Sequence, residues 1–481
     1  MIFNSQITKK IFPLHLDSHH YKETMAHIND MTVGKPTAKI VAFALPLIMG
    51  YILQQVYLIV DAAIVGRWIG MEALAAVGVS SSIMFLIMGF CNGTCAGFAI
   101  PVARAFGGKD YSLMRCYVAN AIRAAAVIAL VLTVLTCFFC HRLLWMVNTP
   151  REIFHDAYIY LFLQFVTIPF TMGYNLLAGF IRALGNSRQP FFFLIVASLL
   201  NMALDILMVP VLGMGVEGVG LATLLSQAFS VYLCFNYIHK HQRLLIPKGK
   251  ERAYNDHQIG HLLNAGIPMG LQFSITGIGI IMLQSANNAL GTVYVAAFTA
   301  SMRVKYLFTC VFENIGVAMA TYCGQNVGAG AIMRIKEGVC AAIKVMLAYF
   351  LLTVLVIYPF ADEMMMLFVN MEHASTSYSP REIVDYAALF MRITNYFYPV
   401  LGLLTILRYS IQGMGYSNLS MLSGVMEMIA RCSVSLWLVP AFHFLGVCYG
   451  DPVAWIAADI FLIPAFIYVY KTIRRKMSKT N

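Results

Sequence analysis

The chain has 481 residues, of which 60% are hydrophobic and 11% charged, whereas a soluble domain runs near half apolar and a quarter charged. That excludes a water-soluble globule, and apolar runs of about twenty residues recur so densely that no separate soluble domain fits between them. The formal net charge of +11 falls in short loops and tails between those runs, which makes it a membrane-topology signal and not a nucleic-acid surface.

The chain begins with a polar stretch, residues 1–38, that holds His15, His19 and His20 and lacks the apolar core of a signal peptide. It is expected to be a disordered cytoplasmic tail, and Met31 is an alternative start of translation. Spans then read at 40–66, 76–102, 117–140, 157–181, 190–210 and 218–238, and after a basic linker at 259–286, 295–322, 338–360, 384–410, 418–440 and 446–470. The expected fold class is an all-α membrane protein of about twelve transmembrane helices. Its organisation is an N-terminal six-helix lobe over 39–238, a linker over 239–258, a C-terminal six-helix lobe over 259–470 and a basic tail over 471–481.

An even number of spans puts both termini on one side, and that side should be the basic one. The tails carry Lys9, Lys10, Lys22, Lys35 and Lys39 at one end and Lys471, Arg474, Arg475, Lys476 and Lys479 at the other. The linker adds Lys240, Arg243, Lys248, Lys250 and Arg252, and Arg104, Lys109, Arg115, Arg182, Arg188, Arg334, Lys336 and Arg408 are read as marking the remaining loops of that face. The opposite loops offer only Arg67, Arg142, Arg151 and Arg381. A multi-pass protein of the plasma (inner) membrane with cytoplasmic termini follows.

The two halves repeat one another. Ala44-Leu45-Pro46 answers to Gly266-Ile267-Pro268, Ala75-Ala76 to Ala296-Ala297, and Pro169 and Gly185 to Pro399 and Gly415. Val209-Pro210 with Gly220 matches Val439-Pro440 with Gly450, and a polar loop from Met371 to Ser379 absorbs the drift in register. Six spans per half make the repeats parallel, related by an axis along the membrane normal and enclosing a central cleft.

Within the spans a few polar groups stand out. Asp61 lies near the outer end of the first span, Asp205 near that of the fifth and Thr223 near the start of the sixth, all at roughly 7 Å from the outer face at 1.5 Å per residue. Asn201 and Asp205 are four apart on one helix face with Ser198 a turn below, and Gln54, Tyr57 and Asp61 make a second polar stripe. Buried carboxylates need a proton, a partner or a cation, so the pair is a coupling-site candidate for H+ or Na+; hydrogen bonding for packing alone is the plain alternative. Asn175 and Glu313 are further accessory polar candidates. Pro46 either bends the first span or marks a late helix start.

Elsewhere Glu427 and Arg431 are spaced for an internal ion pair, the roles of Arg303, Lys305 and Asp459 stay open, and Leu283 beside Gln284 stands opposite Asp61 in the repeat. The 11 cysteines, Cys91 and Cys95 included, sit almost all in apolar spans and read as small buried hydrophobes. No nucleophile and base pair, metal cluster or phosphate loop is apparent, so neither an enzyme nor a cofactor is expected.

Phe43-Ala44-Leu45-Pro46-Leu47, Gln54-Gln55, Val60-Asp61 and Ala73-Leu74-Ala75-Ala76-Val77-Gly78 resemble the multidrug and toxic compound extrusion (MATE) transporters. So do Ala178-Gly179-Phe180-Ile181-Arg182-Ala183-Leu184-Gly185-Asn186-Ser187 and Gly324-Gln325-Asn326-Val327-Gly328-Ala329-Gly330. The likeness runs from residue 31 to about 470 and is closest to the prokaryotic branch with the Staphylococcus-type multidrug exporter. It implies two lobes with alternating access, and a coupling-ion site that falls here on Asp61, Asn201, Asp205 and Thr223. Small organic cations are the implied cargo, the lipid bilayer is the surroundings, and a monomer is expected. A flippase for lipid-linked or other amphipathic cargo is the alternative.

Overall fold

The computed structural model describes residues 30–368 and 379–478, the side chain of Ser82 excepted. His15, His19 and His20, most of the expected insertion loop Met371–Ser379, and Lys479 lie outside the described residues. The described chain is helical throughout. Ten helices are long and apolar enough to cross a membrane, or up to twelve if two bent pairs each count as one span.

In chain order the first half comprises α1 (Pro36–Ile64), α2 (Met71–Gly107), α3 (Tyr111–Met146), α4 (Phe154–Val166), α5 (Ile168–Ala183), α6 (Arg188–Ile206) and α7 (Val216–His241). The second half comprises α8 (Asp256–Asn288), α9 (Thr292–Gly328), α10 (Ile332–Met366), α11 (Pro380–Tyr396), α12 (Tyr398–Gly413), α13 (Ser417–Ser433), α14 (Val439–Phe442), α15 (Phe444–Cys448) and α16 (Gly450–Ser478). Helices outrun the expected spans by several residues because polar end residues continue the hydrogen-bond ladder past the hydrocarbon.

Three departures from expectation are physical. The expected span 157–181 is two helices, α4 and α5, meeting at a 40° bend, and 384–410 is likewise α11 and α12, bent by 53°. Pro169 and Pro399 fall in the first turns after these breaks, where a missing amide hydrogen costs least. The tail does not run to residue 38: α1 starts at Pro36, and Met31 is fully buried against the second half. Residues 471–478, expected as a tail, continue α16.

The backbone repeats between halves. Helix starts after left-handed Gly70 (φ 130°) and Gly291 (φ 124°) correspond, as do the turns at Gly185 (φ 83°) and Gly415 (φ 87°). Widened π-helical turns follow Ile206 at Leu207–Val211 and Ser433 at Val434–Leu438, and a third, Val65–Ile69, follows α1.

Apolar packing forms two main cores. One runs through α2 to α7 around Phe98, Phe165 and Phe180; the other runs through α9 to α16 around Phe312, Phe390 and Tyr398. Ile40, Phe43 and Ala44, in the first turns of α1, pack into the second of these, so α1 spans both halves. Phe138 and Leu355 are 78% and 72% exposed on the outside, as lipid-facing positions should be.

At the end of the bundle that carries Met31 and Ser478, the basic end, the halves press backbone to backbone. A Cβ at Gly93 would lie 2.6 Å from Met269 O, and one at Gly97 2.6 Å from Ala265 O, so only glycine lets α2 and α8 approach this closely. Buried Gln325 locks the seam: its Nε2 donates to Ala183 O (2.8 Å) and its Oε1 accepts from Met31 N (2.9 Å). Arg334 donates to Asn326 Oδ1 (3.1 Å) and to Gly34 O (2.9 Å) on the same seam.

Candidate functional site

Toward the other end of the first half, three helices bring the sequence candidates together. Asp61 closes α1, Asn201 and Asp205 share one face of α6, and Thr223 lies two turns into α7. Asp61 and Asp205 are 6% and 0% exposed and Asn201 is 3% exposed. Beyond them Ile64, Val65, Ala73, Val209, Val216 and Val219 form a small apolar cluster that shields the acids from the outside.

The hydrogen bonds are specific. In the amide orientation that pairs every atom, Asn201 donates from its nitrogen to Asp205 Oδ2 (3.1 Å) and Tyr57 Oη (3.2 Å), and its oxygen accepts from Thr223 N (3.1 Å). The Thr223 hydroxyl donates to Val219 O (3.1 Å). Asp61 Oδ1 and Asp205 Oδ1 have no hydrogen-bond partner among the described residues. A buried carboxylate oxygen without a partner is costly unless something absent from the chain itself binds there.

Tyr160 and Gln164 of α4 also belong to this group: Tyr160 packs against the apolar cluster beside the acids, and Gln164, one turn on, lines the adjoining cavity. Sequence reasoning missed them, although their spacing of four on one apolar helix was a signal. Ser198 is buried one turn below Asn201.

Inward from the acids lies a cavity of about 420 Å³. Gln54, Tyr57, Gln164, Thr223 and Asn175 line it, with Pro46, Tyr51, Tyr174 and Phe191 and the thioethers of Met84 and Met88. Asn175 donates to Asn92 Oδ1 (2.9 Å). α1 runs unbroken through Pro46, which removes the late-start reading and puts a residue without an amide hydrogen in the cavity wall.

Glu313 is elsewhere. It lines a separate pocket in the second half, where Tyr409 Oη donates to its Oε2 (3.2 Å). There the expected Glu427–Arg431 pair is present (3.2 Å) within a larger buried network: Arg431 meets Asp451 (3.0 Å), Lys305 also pairs with Asp451, and Arg408 pairs with Glu427. Arg408 therefore does not mark a loop of the basic face, because Glu427 draws it into the core. Arg182 does not mark one either; it lies within α5 and lines the cavity of the first half. Asp459 is buried with Oδ1 unpartnered among the described residues, and Arg303 is exposed. No group of acids, histidines and cysteines suited to a metal occurs among the described residues.

Comparison with known proteins gives one answer. The probable multidrug resistance protein YpnP of Bacillus subtilis is 26% identical over 85% of this chain and 88% of its own. The multidrug export protein MepA of Staphylococcus aureus is 20% identical over 89% and 92%. A MATE transporter solved in a bent conformation superposes with TM-score 0.82 at 20% identity, over 95% of this chain and 99% of that one. The MatE family profile matches residues 46–207 and 268–437, one segment in each half. The duplicated bundle and these matches make the chain a membrane transporter that belongs to the MATE family.

Proposed function

We propose that this protein exports small organic cations in exchange for protons, alternating access to its central cleft between the two halves. It acts as a monomer in the plasma (inner) membrane with both termini cytoplasmic. The observation that carries the reading is the buried pair Asp61 and Asp205, each with an unpartnered oxygen, beside a cavity large enough for a drug-sized molecule.

A proton fits the donor set better than sodium. Sodium prefers several oxygen ligands, but the Asn201 oxygen accepts from Thr223 N while its nitrogen faces Asp205. The two buried acid oxygens without a partner among the described residues, one on each aspartate, are enough for a shared proton. The aromatic faces of Tyr51, Tyr57, Tyr174 and Phe191, with Met84 and Met88, suit flat cations of varied shape. Pro46 in the cavity wall is the proposed hinge through which α1 answers to the state of Asp61.

Gln325 and the glycines of α2 close the cavity toward the basic end, and breaking that seam is the proposed other half of the cycle. Ethidium efflux from everted vesicles, with proton and sodium gradients imposed separately, tests the reading. Efflux driven by the proton gradient alone supports it, sodium dependence reassigns the coupling ion, and no response to either removes antiport.

A flippase is the second reading, favoured by an apolar groove between α1 and α6 that shares Pro46 and Phe191 with the cavity and carries Arg188 at its inner end. Scrambling of labelled lipid by the purified protein in vesicles would favour it.

A further inference from the structure

Among the described residues, Arg182 alone on the wall of the first-half cavity carries a full charge; the other polar liners are amides, phenols and hydroxyls. Arg182 is half-buried and also lines a small second void between the halves, beside Met269, Thr321 and Tyr409. No carboxylate pairs with it, and no hydrogen bond engages it, among the described residues. The ionisable groups that sense it are Tyr174, Cys95 and Cys234, which are not acids of the carboxylate kind.

This contrasts with the second half, where Lys305, Arg408 and Arg431 are each matched by Glu427 or Asp451. A guanidinium presents five donors in a fixed fork and is costly to hold in a membrane without a partner. An organic cation without an anionic group would leave that fork unmatched in this cavity and would be held less tightly than a molecule that also fills it.

We propose that Arg182 is the counter-ion for an anionic group on the transported molecule. The cargo of this cavity is then dipolar: a carboxylate, sulfonate or phosphate sits at Arg182 at the inner end, and a cationic, aromatic body extends toward Tyr57 and the Asp61–Asp205 pair. The tyrosines, Phe191 and the two methionines hold the body, and Arg182 selects for the anionic end by a paired, charge-assisted contact. The inference rests on the reading of the chain as an exporter of organic cations and narrows its substrate class.

The test uses two dyes with one body. Rhodamine B carries a free carboxylate and is a zwitterion; its ethyl ester is a plain cation. Binding of each to the purified full-length protein is titrated by fluorescence anisotropy in wild type, Arg182→Gln and Arg182→Lys. The wild type should bind the acid about tenfold more tightly than the ester; Arg182→Gln should bring that ratio to about one, and Arg182→Lys should keep most of it. The ratio is the readout, so a general loss of affinity does not imitate the effect, and the wild-type ratio tests the idea even if a variant fails to fold.

An ester bound as tightly as the acid by the wild type, or a preference that survives Arg182→Gln, would overturn the assignment. A preference that holds while neither dye is exported under an imposed gradient leaves the anion site standing and sinks the exporter reading instead. A competition arm separates two sources of such a molecule. Dihexanoylphosphatidylcholine displacing rhodamine B from the wild type and not from Arg182→Gln carries the assignment to a lipid headgroup; a dye that stays bound carries it to a soluble dipolar compound.

Discussion

Asn201 stands one helical turn before Asp205 on α6 and donates its amide nitrogen to Asp205 Oδ2 at 3.1 Å, while the other Asp205 oxygen has no partner among the described residues. One oxygen is thus held in place and the other kept open. Asp61, on a different helix, has the same open oxygen within electrostatic reach. Asp61→Asn and Asp205→Asn keep the size of each side chain and remove its titratable oxygen. Each is expected to abolish gradient-driven export while the protein inserts and binds cargo; export at the parental rate in both variants would sink the coupling role.

Pro46 lies about fifteen residues before Asp61, roughly 22 Å along α1. Pro46→Ala restores an amide donor and stabilises the straight helix, and even 1.4 kcal/mol shifts a two-state equilibrium tenfold. Slower efflux with cargo binding preserved is the expected outcome, measured in one preparation. Unchanged efflux would rule out the hinge.

The helical content and the repeat were legible because both rest on short-range pattern. Apolar length marks a span, and Gly70, Gly185, Gly291 and Gly415 all take left-handed backbone at matching positions. The i, i+4 spacing of Asn201 with Asp205 and of Glu427 with Arg431 also survives folding. What was not legible depends on partners distant in sequence. Lys305 and Asp451 are 146 residues apart, and Arg408 looked like a loop residue because hydropathy near a span edge does not reveal that Glu427 buries it. Arg182 was misplaced because hydropathy near a span edge does not reveal that α5 carries it to the wall of a cavity. The bends at Thr167 and Phe397 were hidden because a proline in the first turn of a helix leaves the apolar run uninterrupted.

The orientation has its own test. A reporter active only in the cytoplasm should work when fused after Arg252 or at Asn481 and fail when fused at Ser377, since basic loops stay inside. The reverse pattern would place the acid pair at the wrong face.

The linker is tied to α3 by Arg115, whose Nε and Nη2 each lie 2.6 Å from a Glu251 carboxylate oxygen. That guanidinium holds the Glu251 carboxyl at about 2, below its usual 4.5. A carboxyl depressed in the folded state contributes stability above its unfolded value and loses it as pH falls through the folded one. The gap in melting temperature between wild type and Glu251→Gln should therefore be present at pH 7 and close between about pH 4.5 and pH 2. A gap that does not vary with pH would assign the linker's hold to its other contacts. The size should be modest, because the pair is close to solvent.

Coupling through the acid pair is the central claim, and coupling runs in both directions. Proteoliposomes of the purified protein, free of sodium and loaded with a pH-sensitive dye, can be given an outward or inward ethidium gradient and no other driving force. The downhill cargo flux should move protons in the opposite direction in wild type and move none in Asp61→Asn or Asp205→Asn. Ethidium flux without proton movement in the wild type, or equal proton movement in either variant, would contradict the account.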